Sequence, residues 1–298
     1  MLNFKKPEIS DKPWVDECLK HAASMSCEYT FGNTYVWASQ YNSEICRYKD
    51  FFICRWGFKD KASYSLPLGE GDFTDAVEQI ILDAKSRGVA PRIYGVTSGY
   101  LSMLQEAFTG KFSYHLNDGF SDYIYKTEKM ASLSGKKLHS KRNHITNFKK
   151  NNPDWSFEKI TRDNIPECIE LHEKWLAEKE DGSTDDYSDE FNAVKTAFEN
   201  YEALGFVGGL IRVGGKVIAY TMGEPLMSGR CFVSHFEKAL SEIQGAYAII
   251  NQEFTLNCLS DYEYVNREED LGLEGLRKAK MSYHPEILLE KWLAVYND

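Results

Sequence analysis

The run from Tyr264 to Lys280 sets a short strand, a dense group of charges and a new helix start side by side. Arg267, Glu268, Glu269, Asp270 and Lys280 all fall within it, and α/β proteins bind ligands beyond the carboxyl ends of their strands. A second junction of the same kind lies upstream. Val233-Ser234-His235-Phe236-Glu237-Lys238-Ala239 ends a strand, and Gln244-Gly245-Ala246-Tyr247 opens a helix that carries Asn251. Backbone N–H groups at a helix start point at an anionic group, and the helix dipole favours negative charge there. Together the junctions predict a charged cleft. Each residue also has an ordinary alternative. Glu237 and Lys238 suit a surface pair worth under ~1 kcal/mol. His235 suits a hydrogen-bonded core histidine, Asn251 a bridge to a neighbouring loop, and Arg267 with its three acids a structural ion network.

The elements that must position these residues come in two similar sets. In the first half, Phe51–Trp56 and Ala62–Leu66 read as a hairpin around Gly57-Phe58-Lys59-Asp60. A helix from Phe73 to Arg87 follows, with Asp72 as cap and Gly88 as stop. Then come a strand at Arg92–Val96, a helix near Ser98–Phe108, and paired strands at Phe112–Leu116 and Ser121–Tyr125 around Asn117-Asp118-Gly119. In the second half, helices are marked by Ile165, Ile169, His172 and Leu176, and by Ser188-Asp189-Glu190. A hairpin joins Phe206–Arg212 to Lys216–Met222 through Gly214-Gly215. Cys231–Phe236 is the next strand, and Tyr247, Ile250, Phe254 and Cys258 form an apolar helix stripe. Glu263–Asn266 is a strand, Leu271–Ala279 a helix and Ile287–Val295 a final apolar segment. The acidic stretch from Glu178 to Asp186 reads as a solvated loop. Helices packed on a mixed, mostly antiparallel sheet, built twice, give an α/β (α+β) protein of two domains, 1–130 and 131–298.

Between the halves, Leu133 to Lys150 contains six Lys/Arg and two His without one acid. It reads as a basic linking helix over 131–152. Its Lys136, Lys137, Lys141 and Arg142 suit a ridge that contacts tRNA phosphates, beside the plainer role of a solvated helix face. The chain of 298 residues has a net charge of −10, so any nucleic-acid partner must use such a local patch. Seven scattered cysteines without a C-x-x-C pair signal neither a zinc site nor a disulfide framework, and no metal is expected. Met1 to Ser10 lacks a signal-peptide core, and no apolar run reaches the ~18 residues a membrane span needs, which favours a cytoplasmic protein.

The order of elements is that of the GNAT acetyltransferase superfamily, so the chain resembles a tandem GNAT pair. The usual acyl-CoA pattern, Gln/Arg-x-x-Gly-x-Gly/Ala, is departed from at Glu242 and Tyr247 around Gly245. His235-Phe236-Glu237-Lys238-Ala239, Gly245-Ala246-Tyr247 with Asn251, Asp270-Leu271-Gly272-Leu273 and Lys280-Met281-Ser282-Tyr283-His284-Pro285 resemble the catalytic domain of lysylphosphatidylglycerol synthases and their soluble relatives. The family's Pro-Arg-Tyr ending is replaced by Leu289-Glu290-Lys291-Trp292. The resemblance implies transfer of an aminoacyl group from aminoacyl-tRNA to a hydroxyl or amine of a small-molecule, peptide or lipid acceptor, with no permanently bound cofactor. Acyl-CoA is the alternative donor, and a non-catalytic binding protein the third reading. Within the first, Glu237, His235 and Asp270 are the candidate bases. Lys280, Arg267 and the amides near Gly245 are the oxyanion donors. Glu268, Glu269 and Asp270 would meet an ammonium, and Lys238, Tyr247 and Asn251 complete the substrate-binding set.

Overall fold

The computed structural model describes residues 2–57, 62–116, 118–180 and 187–297. In the first half the chain runs α1 (Lys12–Leu19), α2 (Phe31–Val36), β1 (Glu44–Tyr48), β2 (Phe51–Trp56), β3 (Ser63–Ser65), β4 (Leu68–Gly69), α3 (Phe73–Ser86), β5 (Arg92–Val96), α4 (Ser98–Ala107) and β6 (Phe112–Leu116). It continues through β7 (Asp122–Lys126), α5 (Thr127–Ser132), α6 (His139–Asn151), β8 (Ser156–Lys159), α7 (Ile165–Glu180), α8 (Ser188–Glu199) and α9 (Tyr201–Leu204). The remainder is β9 (Val207–Val213), β10 (Lys216–Leu226), β11 (Cys231–Ala239), α10 (Ala246–Cys258), β12 (Tyr264–Asn266), α11 (Glu274–Met281), β13 (Ile287–Leu289) and β14 (Trp292–Tyr296). Residues 58–61, at the tip of the first expected hairpin, and 181–186, in the expected acidic loop, lie outside the described residues.

Two mixed sheets result, ordered β1-β2-β3-β5-β14-β6, with β4 on β2, and β13-β7-β12-β11-β10-β9-β8. Only β3 with β5 and β11 with β12 pair in parallel among these strands. The second sheet is packed by α10 and α7, and α5 and α6 lie on α10. Ile249, Ile250 and Phe254 of α10 are buried, each contributing roughly 2 kcal/mol of apolar burial.

Three expectations need correction. Phe112–Leu116 and Ser121–Tyr125 do not pair with each other: β6 pairs with β14, and β7 sits between β12 and β13 in the other sheet. Their burial explains this. β7 is buried on four of its five positions, as an interior strand must be, whereas β6 ends on two exposed residues. The apolar segment Ile287–Val295 is likewise two strands, β13 in the second sheet and β14 in the first. Sheet membership therefore does not divide at 130/131. Each half lends a strand to the other's sheet, and the chain crosses the seam at Glu290-Lys291. The helix expected from Leu271 begins instead at Glu274, because Leu271 and Gly272 are left-handed (φ +53° and +77°).

Candidate functional site

A cavity of about 1740 Å³ opens at the seam, lined by both halves of the chain. Its geometry follows from the ends of three elements. β11 carries His235, Glu237 and Lys238; the start of α10 carries Gly245, Tyr247 and Asn251; and the turn after β12 carries Arg267 to Glu269. Gly245 is required by its surroundings. Its φ is +86°, and a Cβ there would lie 2.8 Å from the carbonyl oxygen of His144 on α6. The linking helix thus passes directly against the first turn of α10.

On one side of the cavity, Oε1 of Glu237 accepts hydrogen bonds from Asn251 Nδ2 and Arg267 Nη2, each at 2.9 Å. Asn251 also donates to the carbonyl of Tyr247 at 2.6 Å. Both bonds to Glu237 fall on one oxygen, and the residue lines the cavity. The Arg267 guanidinium lies 5.1 Å from the ring centre of Tyr283, and its buried Nη1 has no hydrogen-bond partner. Lys280 donates to the carbonyl of Arg267 at 2.6 Å and to that of Glu269. Burial pulls its ammonium below the ordinary lysine range. Lys238 pairs with Glu190 at 2.8 Å and lies 4.0 Å over Trp175. Tyr247, read as part of the helix's apolar stripe, is instead 42% exposed and lines the cavity.

Another part of the lining is acidic. Glu28, Glu268 and Glu269 line it, and Asp122 lies behind them with no exposed surface. Lys291 stands among these acids, with Nζ 2.8 Å from Glu28, 2.9 Å from Asp122 and 3.5 Å from Glu269. Its Nζ is also 3.6 Å from Cys27 Sγ. Cys27, Asp122 and Glu269 could by spacing hold a metal ion, their ligand atoms lying within 4.8 Å of one another. The Lys291 ammonium already supplies a cation to that group. Burial, together with the neighbouring carboxylates, holds the Cys27 thiol protonated far above its ordinary range. The set fits an internal ion cluster better than a metal centre.

His235 does not stand ready as a base. Its Nδ1 lies 2.7 Å from Glu268 and its Nε2 lies 3.0 Å from Glu224, and the side chain is 1% exposed. A ring with a carboxylate on each nitrogen donates from both. Burial disfavours the charged ring, but the two carboxylates outweigh it and push the pKa up to about 9. His235 is therefore an imidazolium at neutral pH, and it holds Glu268, whose backbone is left-handed (φ +57°). A folded pKa of about 9 against ~6.5 unfolded means that the folded state keeps the proton between those values. The contribution is complete below ~6.5 and is lost as pH rises towards 9, with a ceiling of about 3 kcal/mol. Chemical unfolding from pH 6 to 9.5 should show this fall, and His235→Gln should flatten it. Equal slopes for the two proteins would remove the charged ring from the account.

Asp270 lies away from the cavity lining. It is buried and takes hydrogen bonds from Tyr123 Oη at 2.5 Å, Arg277 Nε at 2.7 Å and the Gly272 amide at 2.8 Å. These partners outweigh the burial that would raise its pKa and hold it below the ordinary carboxylate range. It fixes the turn into α11. Of the basic residues, Lys141 lines the cavity. Lys136 and Lys137 are exposed outside it, and Arg142 donates to the carbonyls of Leu133 and Gly135, closing the turn before α6. Sequence reasoning missed Glu28, Asp122 and Glu224 altogether and read Glu190 only as part of a helix start. One signal was available: Glu224 is a lone charge inside an apolar strand segment, where a charge needs a partner.

The seven cysteines are all free, and among the described residues no helix is long and apolar enough to cross a membrane. A curated relative, the uncharacterized protein MYCGA3080 of Mycoplasmoides gallisepticum, is 25% identical over 188 residues. That match takes in 60% of this chain and 57% of the relative, so the chain spans little more than half its length. A crystal structure of a conserved protein of unknown function from Bacteroides thetaiotaomicron is 35% identical, with both chains fully covered and a TM-score of 0.95. L-PGS from Bacillus licheniformis has a TM-score of 0.70 at 13% identity, covering 98% of this chain and 93% of that one. A tandem GNAT protein from the clavulanic acid biosynthesis pathway has 0.50 at 9%, covering 100% and 99%. The fold is thus the tandem GNAT-like one. The family model described as phosphatidylglycerol lysyltransferase, C-terminal, matches residues 20–295, and the chain belongs to that family.

Proposed function

We propose that this protein is an aminoacyltransferase, moving an aminoacyl group from aminoacyl-tRNA to a hydroxyl or amine acceptor. The observation that carries this reading is one cavity with a carboxylate held by Arg267 and Asn251 and, elsewhere on its lining, three acids, Glu28, Glu268 and Glu269, that outnumber their cationic partners Lys291 and His235. Glu268 and Glu269, with Glu28 beside them, would receive the α-ammonium of the aminoacyl group. Oε2 of Glu237 would take the proton from the acceptor as its oxygen or nitrogen attacks the ester carbonyl carbon. The backbone amides at the start of α10, near Gly245, would meet the tetrahedral oxyanion. Collapse breaks the bond to the ribose oxygen, which leaves with the proton returned from Glu237. Positioning both substrates in one pocket supplies much of the remaining gain. Phe120, Leu271, Leu273 and Leu276 form an apolar wall of the same cavity, which suits an acceptor with an apolar portion.

An acyl-CoA donor fits less well. Its pyrophosphate would need the start of α10, where Glu242 and Tyr247 depart from the usual pattern and His144 packs against Gly245. The test is binding of charged tRNA, uncharged tRNA and acetyl-CoA to the purified protein at low and high salt. Salt-sensitive binding that favours the charged tRNA supports the reading, and binding of acetyl-CoA alone overturns it. Changing both Lys136 and Lys137 to Glu should weaken tRNA binding and lower the salt slope by about two. An unchanged slope would take the exposed start of the linking segment out of the tRNA surface.

A further inference from the structure

Lys141, Arg267 and Lys280 line one cavity, and among the described residues only Arg267 has a carboxylate in ion-pair contact. Lys141 Nζ lies 4.2 Å from the centre of the Tyr283 ring, and the Arg267 guanidinium lies 5.1 Å from it. Lys280 is bonded to the Arg267 carbonyl at 2.6 Å. Among the described residues neither Lys141 nor Lys280 has a carboxylate within ion-pair distance, and the sole acid paired to Arg267 is Glu237. The group therefore carries a surplus of two positive charges beside the cavity that all of them line. Donor capacity is also in surplus. Lys280 uses two of its three N–H bonds on carbonyls, and Arg267 Nη1 is buried without a partner. Burying cations beside one another is costly unless an anion accompanies them. Burial and the nearby Arg267 both pull the Lys141 ammonium below its ordinary range, as expected of a site short of negative charge.

We infer that Lys141, Arg267 and Lys280 form a subsite for a single phosphate group, placed inside the cavity rather than on the outer face of the linking helix. The guanidinium and the two ammonium groups would each donate a charge-assisted hydrogen bond to its oxygens, and the Tyr283 ring lies against two of them, Lys141 and Arg267. This deepens the transfer reading by naming what one substrate presents next to the reacting centre. It rests on that reading for which substrate carries the phosphate, but not for the binding itself. The phosphate could belong to the nucleotide end of the donor or to the glycerophosphate of a lipid-type acceptor.

Calorimetric titration with adenosine 5′-monophosphate, sn-glycerol 3-phosphate and inorganic phosphate tests the subsite on the whole chain. At least one of the three should bind, and Lys141→Met should weaken it about tenfold, the scale of one charge-assisted hydrogen bond. Lys141→Arg should restore most of the affinity, and Lys278→Met, at an exposed lysine outside the lining, should leave it unchanged. Tighter binding of the nucleotide assigns the phosphate to the donor, and tighter binding of the glycerol ester assigns it to the acceptor. No binding by any probe overturns the subsite, as does equal weakening by Lys278→Met and Lys141→Met, which would mean diffuse surface attraction. Transfer assays on the same proteins separate the two claims. Phosphate binding without transfer overturns the parent reading alone, and transfer that survives the loss of phosphate binding overturns the subsite alone.

Discussion

Replacing Glu237 with Gln is expected to lower the rate of aminoacyl transfer by about 10²- to 10⁴-fold, the usual worth of a general base. The amide keeps an oxygen for Arg267 and Asn251, so the local hydrogen bonds at 2.9 Å have a partner of the same shape. What disappears is the ability to accept a proton. The effect should fall on kcat, with substrate binding little altered, because the change acts on a step made only in the transition state. Glu237→Asp, which keeps the charge but withdraws it from the cavity, should lie between the two. Release of radiolabelled amino acid from charged tRNA into acceptor measures this directly. A Gln variant within a few-fold of the parent rate would remove Glu237 from the chemistry and leave the proton to solvent or substrate.

Changing Lys291 to Met should be the most damaging of the substitutions considered for stability. Its ammonium is 2% exposed and pairs with Asp122, which has no exposed side-chain surface. Asp122 also accepts from the Cys27 amide and from Asn266 Nδ2, each at 2.9 Å. These bonds join the strand β7, the turn before α2 and the end of β12. Removing the cation leaves a buried carboxylate without its counter-charge, a loss on the order of 3–5 kcal/mol. That corresponds to a fall in Tm on the order of 10 °C for a chain of this size. Pairing Lys291→Met with Asp122→Asn should recover a large part of it, since the double variant buries no lone charge. Thermal unfolding of the three proteins decides the matter. A single variant within about 1 kcal/mol of the parent would mean that water reaches the cluster.

Much of the fold was legible because it is written in local patterns. The Gly214-Gly215 turn formed where its residues required it, joining β9 to β10. α3, with Asp72 accepting from the Asp75 amide, and β5 fall where spacing and capping placed them. The strand exchange was not legible. Phe112–Leu116 and Ser121–Tyr125 flank a short turn and suit a hairpin, yet their partners come from residues 264–266, 287–289 and 292–296. Nothing within ten residues of β6 encodes that choice, which depends on which sheet interior each strand can fill.

The candidate site divides in the same way. His235, Glu237, Arg267 and Lys280 stand out in the sequence because charges at strand ends and helix starts are chemically conspicuous, and the cavity brings these four together. Their states depend on neighbours far away in the chain. Glu224 and Glu268 make His235 a cation, whereas Tyr123 and Arg277 turn Asp270 into a brace for a loop. The sequence by itself determined the two-sheet α/β architecture and the two junctions where charge collects, since both follow from periodicity, turns and capping over a few residues. Only the tertiary structure decided which charges face the cavity and which compensate one another. Burial and partner distance set the protonation of an ionisable group, and both are properties of packed surfaces rather than of neighbours in the chain.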